Sequence, residues 1–269
     1  MVTDDPYSSF PGASLTRLRP LPSLTAMVPL TRHGFREMLI GSLVLAVVAI
    51  GLDWVWWPLA LLPLPLLIFL FAFFRDPNRG LPAEQHAMVS PADGTVSDIT
   101  EIEHDEWLGG SAVRVGIFLS VFNVHVNRSP CDGKVAKVEY KKGKFINAMK
   151  HDAASSDNES NTILLVERDG TEPVAVGKQI VGLIARRIIF PLQVGDAVCR
   201  GDRIGMIKFG SRTELYIPIR LEPQIKVTVG QKVRGAADVI ALLGKPIHTR
   251  TKGVDDSEVE PLIGRETPA

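Results

Sequence analysis

Polar and apolar positions divide the chain into unequal parts. Residues 1–30 carry prolines at 6, 11, 20, 22 and 29, several Ser and Thr, and no period of 2 or 3.6. That pattern predicts a disordered leader. From Leu39 to Phe74 run 36 residues whose only charge is Asp53. The run is too long for a signal-peptide core, and no small-residue cleavage site follows it. Pro58, Pro63 and Pro65 argue against one continuous helix. Splitting at Asp53-Trp54-Val55-Trp56-Trp57-Pro58 leaves legs Leu39–Leu52 and Leu59–Phe74. At about 1.5 Å per residue these reach roughly 21 and 24 Å, short of a ~30 Å hydrocarbon core. Trp54, Trp56 and Trp57 are of the type that settles at a membrane interface, and Arg32, Arg36, Arg75 and Arg79 flank both ends, which places both on the cytoplasmic side. The expectation is a membrane-anchoring hairpin over 31–75, shallow or thinly spanning. A buried core hairpin is disfavoured because the run has almost no polar face.

After Phe74 the pattern changes. Residues 86–244 show short apolar runs such as Val113–Leu119, Thr162–Val166 and Ile225–Val229, separated by Asp-Gly, Gly-Asp and Lys-Gly pairs. Strands with tight turns fit this better than long helices. Two internal echoes occur: Ser90-Pro91-Ala92-Asp93-Gly94-Thr95-Val96 with Ser129-Pro130-Cys131-Asp132-Gly133-Lys134-Val135, and Val194-Gly195-Asp196-Ala197-Val198 with Val229-Gly230-Gln231-Lys232-Val233. They suit a barrel or sandwich built from related hairpins, like the biotinyl/lipoyl-type folds. The expected fold class is therefore mainly β, preceded by the helical membrane hairpin. The β-rich domain covers 76–244, and a polar, loosely ordered tail covers 245–269.

Charge and cysteine content narrow the function. With 30 Lys+Arg against 30 Asp+Glu the chain lacks the basic excess of a nucleic-acid binder. Cys131 and Cys199 form neither a disulfide framework nor a metal-ligand spacing.

Three residues are candidates for chemistry. His125 follows an apolar alternation, Phe118-Leu119-Ser120-Val121-Phe122-Asn123-Val124, and is the best placed of the six histidines. By itself such a residue is more often a hydrogen-bonded core histidine. Asp93 lies in Ser-Pro-Ala-Asp-Gly, an ordinary turn sequence, and Asp132 shares that context, so spacing alone cannot choose between them. Ser211 lies in Ile207-Lys208-Phe209-Gly210-Ser211-Arg212, where a Gly-Ser step in a strand-like segment reads as a bulge. A Gly before a serine also leaves the backbone carbonyl open to attack, since no Cβ shields it.

Taken together, the segments resemble the phosphatidylserine decarboxylase proenzymes of the shorter bacterial and archaeal type. The matching stretches are Phe73-Phe74-Arg75-Asp76-Pro77, Ser90-Pro91-Ala92-Asp93-Gly94, Asn123-Val124-His125-Val126-Asn127-Arg128, Gly143-Lys144-Phe145-Ile146-Asn147-Ala148, Asp157-Asn158-Glu159, Gly182-Leu183-Ile184-Ala185-Arg186-Arg187-Ile188 and Arg203 through Arg212. They keep the family's order and spacing over residues 73–244. One departure stands out: the longer branch has a histidine where this chain has Asn123, so no role for that histidine carries over.

The resemblance implies autocatalytic cleavage between Gly210 and Ser211, with Ser211 becoming a covalent pyruvoyl group. Ser211 Oγ would attack the Gly210 carbonyl, and β-elimination from the resulting ester would leave dehydroalanine, which hydrolyses to the ketone. A serine hydroxyl needs a base at neutral pH, a role given to His125, with Asp93 holding its tautomer. The pyruvoyl group would act as electron sink while phosphatidylserine loses CO2 to give phosphatidylethanolamine, with His125 reprotonating Cα. No metal and no nucleic acid are implied. Large (1–210) and small (211–269) fragments would stay associated at the cytoplasmic face of the cell membrane, and association between copies is left open. On this reading the hairpin is a separable anchor, and a chain lacking 1–72 still cuts itself. Two other classes compete. Ala148-Met149-Lys150 copies the core of a biotin-acceptor hairpin, but His151-Asp152 follows where a hydrophobic residue belongs. A membrane-anchored serine peptidase would use Ser211 and His125 on other proteins.

Overall fold

The computed structural model describes residues 30–84, 86–143, 157–170, 172–182, 187–208 and 210–247. The leader, most of the tail and the Ala148-Met149-Lys150 stretch lie outside the described residues.

The hydrophobic run folds into a helical hairpin. Helix α1 spans Phe35–Val55, 21 residues of which only Met38 is buried. Helix α2 spans Leu64–Phe73, ten residues. Between them Trp57–Leu61 forms a 3-10 turn holding Pro58, while Pro63 caps α2 and Pro65 sits in its first turn, where a missing N–H costs nothing. The first leg is thus longer than the sequence pattern gives. At 1.5 Å per residue α1 is roughly 31 Å long, and by length and composition it suffices to cross a hydrocarbon core. The helix extends through Arg36 and Glu37 because Glu37 pairs with Lys208 of the β domain. Apolar side chains face outward all round it, with Leu43, Val47, Ile50 and Trp54 strongly exposed, as expected where lipid is the solvent. The hairpin closes at its base: Thr31 N–H donates to Phe74 O at 2.8 Å and Leu30 bridges Arg75. Gly34 packs so close to the Phe74 ring that a Cβ there would stand 2.0 Å from it.

The remaining chain is mainly β, as the turn-separated apolar runs require. Its strands are β1 Ala87–Val89, β2 Gly94–Asp105, β3 Gly110–Leu119, β4 Val126–Arg128, β5 Gly133–Lys141, β6 Ser160–Val166, β7 Pro173–Val181, β8 Arg187–Ile189, β9 Ala197–Val198, β10 Arg203–Lys208, β11 Ser211–Pro218, β12 Pro223–Ile225, β13 Lys232–Val233 and β14 Val239–Leu243. Eight form one curled antiparallel sheet in the order β13-β2-β3-β11-β7-β6-β5-β9. Two three-stranded sheets, β1-β14-β12 and β4-β10-β8, complete it. One apolar core joins them, with Val96, Ile117 and Leu119 from the first half meeting Leu215, Ile217, Val233 and Ile240 from the second.

The sequence echoes are structural repeats. Ser90 Oγ donates to Ala92 O and Ser129 Oγ to Cys131 O, each at 2.7 Å. Asp93 accepts from Gly235 N–H and Asp132 from Arg200 N–H, again each at 2.7 Å. Gly230 N–H reaches Val96 O at 2.8 Å just as Gly195 N–H reaches Val135 O at 2.7 Å. The same turn, docked on the same kind of glycine loop, therefore occurs twice. Asp93 differs from its counterpart by its ion pair with Arg79 at 2.7 Å.

Strand β11 is the keystone. It lies between β3 and β7, with Ser211 opposite Leu119 on one side and Val181 on the other. Alternation sends Leu215 and Ile217 into the core and Arg212 and Glu214 to the opposite face. That face is closed too: Arg212 and Glu214 are fully buried and paired at 2.8 Å, and Arg212 also pairs with Asp98 at 2.5 Å. Removing one member of such a pair leaves an uncompensated buried charge, which typically costs about 3–5 kcal/mol. Arg212→Ala should lower the unfolding free energy by about that amount in detergent denaturation. A loss under ~1 kcal/mol would show that water reaches Glu214.

Candidate active site

Three segments meet at the corner where β10 leaves the small sheet and β11 enters the large one. Gly210 makes the corner with φ +66, a left-handed conformation that suits glycine. The Ile207–Leu215 stretch is thus two strands in two sheets, not one strand with a bulge. The open side of Gly210 is unobstructed, since a Cβ there would find only Val121 Cγ1 at 3.8 Å. Ser211 is fully buried, and its Oγ has no hydrogen-bond partner among the described residues. Leaving a buried hydroxyl unpaired costs about 1–3 kcal/mol, so such an atom marks a site rather than a scaffold.

His125 comes from the loop between β3 and β4. Asn123 shapes that loop, accepting from both Ser120 N–H at 2.9 Å and Ser120 Oγ at 2.7 Å through its Oδ1. The position where the longer family branch has a second histidine thus serves here as a turn clamp. The Asn123 carbonyl lies 2.9 Å from His125 Nδ1, and Gly210 N–H donates to His125 Nε2 at 3.2 Å. Both partners are backbone groups of fixed polarity, so they set the tautomer: Nδ1 carries the proton and Nε2 offers its lone pair. Burial drives the His125 pKa down to about 4, with the Arg75 charge adding to the fall and the Asn123 carbonyl opposing it. The imidazole is neutral at physiological pH.

The structure brings His125, Gly210 and Ser211 together, but His125 hydrogen-bonds the amide of Gly210 rather than Ser211 Oγ. Nor does it place Asp93 on the imidazole. The Asp93 carboxylate is held by Arg79 and by Gly235 N–H. Its pKa is raised by burial, against the pull of Gly235, Arg79 and Arg75. The tautomer-holding task expected of Asp93 is performed by the Asn123 carbonyl, and Asp93 and His125 are linked through the field of Arg75.

The hairpin supplies a wall of the site. Phe73 of α2 lies against the His125 ring, centroids 4.4 Å apart, and Phe69 meets Phe122 edge-on at 6.0 Å. Arg75 donates to Ala72 O and Phe122 O, each at 2.6 Å, tying the end of α2 to the histidine loop. Lys208 sits two residues before Gly210 and is held by Glu37 of α1. Sequence reasoning quoted Phe73 and Arg75 as motif residues without giving them work. Their tasks depend on contacts made far along the chain.

A family model described as phosphatidylserine decarboxylase matches residues 66–241, which include the end of α2 and every site residue named above. The chain belongs to the phosphatidylserine decarboxylase family. Relatives called phosphatidylserine decarboxylase proenzyme include one from Rhodopirellula baltica, 43% identical over 80% of this chain and 88% of its own. One from Ralstonia nicotianae is 43% identical over 72% of this chain and 86% of its own. A third, from Cupriavidus pinatubonensis, is 38% identical over 80% of this chain and 95% of its own.

For this phosphatidylserine decarboxylase family member, the packing revises the view of the hairpin as a separable anchor. Deleting residues 1–72 removes Met38 and Phe69 from the Phe73–Phe74 cluster and strips Lys208 of its carboxylate partner. The truncated chain should melt lower than the full chain expressed beside it, as read by thermal scan. Full-length melting would restore the anchor to a purely tethering role.

Proposed function

We propose that this chain is a phosphatidylserine decarboxylase proenzyme that cuts itself between Gly210 and Ser211 and then converts phosphatidylserine to phosphatidylethanolamine at the cytoplasmic face of a membrane. One observation carries the reading. The buried hydroxyl of Ser211 has no hydrogen-bond partner among the described residues, and it follows a glycine whose amide is held on His125 Nε2. In this reading Ser211 Oγ attacks the Gly210 carbonyl carbon and its proton passes to His125 Nε2. Exchange of the Gly210 N–H for the Ser211 hydroxyl at Nε2 precedes the attack. The Gly210–Ser211 C–N bond then breaks, the serine nitrogen takes the proton, and an ester remains. Loss of the Ser211 Cα proton expels the Gly210 carboxylate and leaves dehydroalanine, which takes up water and releases ammonia.

The group so formed is a pyruvoyl cap on residue 211, and the residues present fit it: the position is buried, and among the described residues no hydrogen bond ties the oxygen to the serine form. Bound there, it would supply an electron sink for decarboxylation of an amino acid headgroup. His125 would deliver the proton to the carbon that lost CO2. Asp93 offsets the cationic field of Arg75 and Arg79 and so supports the basicity of His125. Association of the two fragments is supported by β11 lying between β3 and β7, and by β14 pairing with β1. The peptidase alternative is disfavoured because the family whose model matches residues 66–241 is a decarboxylase family.

Intact mass spectrometry of the purified full-length protein should find two species, residues 1–210 and 211–269, the smaller lighter by one ammonia than a free-serine terminus requires. Both should co-purify, while Ser211→Ala and His125→Ala should each give one whole chain. A wild-type protein that decarboxylates phosphatidylserine as one uncut chain would sink the mechanism.

The pH profile is a separate test. Because burial lowers the His125 pKa from 6.5 to about 4, the base stays in its active, neutral form well below neutrality. Splitting of newly translated chain should therefore hold steady from pH 8 down to about 5.5, falling only as pH approaches the folded value. A rate that halves near pH 6.5 would mean that His125 is solvated when it acts.

A further inference from the structure

The carbonyl that Ser211 must attack is already engaged. Gly182 N–H, immediately after β7, donates to Gly210 O at 3.1 Å. We infer that Gly182 is a further catalytic residue of self-processing, its backbone N–H stabilising the negative charge that develops on Gly210 O. The inference rests on the self-cleavage reading above and adds the group that completes its electrostatics.

The chemistry requires such a donor. When Ser211 Oγ bonds to the Gly210 carbonyl carbon, the C=O π electrons move onto Gly210 O, while the hydroxyl proton passes to His125 Nε2. The oxyanion persists until the C–N bond breaks and the electrons return. His125 cannot serve that oxygen, since its Nδ1–H is committed to the Asn123 carbonyl and its Nε2 is needed as base. Arg75 cannot either, for its guanidinium is spent on Ala72 O and Phe122 O. Gly182 N–H is the donor that the described residues place on the reacting oxygen.

Position makes it effective. Val181 faces Ser211 across the β7–β11 ladder, so the bond from Gly182 to Gly210 is the next rung of the same ladder. The donor is held by a sheet interior rather than by a side-chain rotamer, and its distance lies at the edge of the 2.7–3.1 Å range that oxyanion donors occupy. A donor fixed before the reaction needs no reorganisation when charge appears, which is where most of its benefit arises. On the opposite side, Leu119 faces Ser211 itself, while Gly210 turns away with φ +66. The scissile carbonyl therefore keeps the Gly182 donor on its oxygen.

The test removes the N–H and little else. Full-length chain is made by cell-free translation with glycolic acid in place of Gly182, which turns the Val181–Gly182 amide into an ester. Glycolic acid in place of Gly177, mid-strand in β7, controls for loss of any ladder amide. Appearance of fragments 1–210 and 211–269 is followed on gels and scaled to the protease-resistant fraction. Loss of one oxyanion donor should slow splitting about 10²- to 10³-fold in the 182 ester. The 177 ester should stay within a few-fold of wild type. Wild-type splitting in the 182 ester, or equal slowing in the 177 ester, would each overturn the inference. So would loss of the protease-resistant fraction in the 182 ester alone, which would mark the bond as structural. If the wild-type chain itself stays whole, it is the self-cleavage reading that fails, and the two failures are told apart.

Discussion

Ser211 opens a central strand of an eight-stranded sheet with its hydroxyl buried and without a hydrogen-bond partner among the described residues, and the surrounding structure holds the peptide bond before it in one place. On the amide side His125 Nε2 accepts the Gly210 N–H, and on the carbonyl side Gly182 donates. Behind the serine, Arg212 is locked between Glu214 and Asp98. An unpaired buried hydroxyl is costly, and it persists here because strand pairing on both sides and a buried ion pair over-determine the position of residue 211.

The same constraint explains why the membrane hairpin belongs to the site. His125 sits on a loop, and loops are positioned by what packs on them. Part of that packing comes from α2, through Phe73 against the imidazole and Arg75 on the Phe122 carbonyl. Helix α1 reaches the strand leading to Gly210 through Glu37 and Lys208. An element whose outer surface is nearly all apolar thus has its inner end packed against His125 and tied to the strand leading to Gly210.

Burial also sets the electrostatics. It keeps the His125 imidazole neutral and its lone pair available, at the expense of proton affinity, while the Asn123 carbonyl and the charge of Arg75 tune what remains. Asp93 shows how local sequence misleads about such roles. Its turn is repeated at Asp132, down to the serine hydroxyl bond and the accepted backbone amide. What distinguishes Asp93 is Arg79 and the neighbourhood of Arg75, neither of which its own turn contains.

By itself the sequence determined the division into an apolar hairpin and a β-rich domain, because hydrophobic periodicity and turn residues act locally. It also determined the repeated turns at Ser90 and Ser129 and, through motif order, the family. Tertiary structure decided the rest. The extension of α1 through Arg36 and Glu37 needed Lys208, 171 residues away from Glu37. The split of Ile207–Leu215 between two sheets depended on the left-handed Gly210, since a Gly-Ser step reads equally well as a bulge. The holder of the imidazole proved to be a main-chain carbonyl, and the donor on the scissile carbonyl a main-chain amide. Every residue carries these groups, so no side-chain pattern announces them. Only strand register, which is fixed by long-range pairing, brings them to the reacting bond.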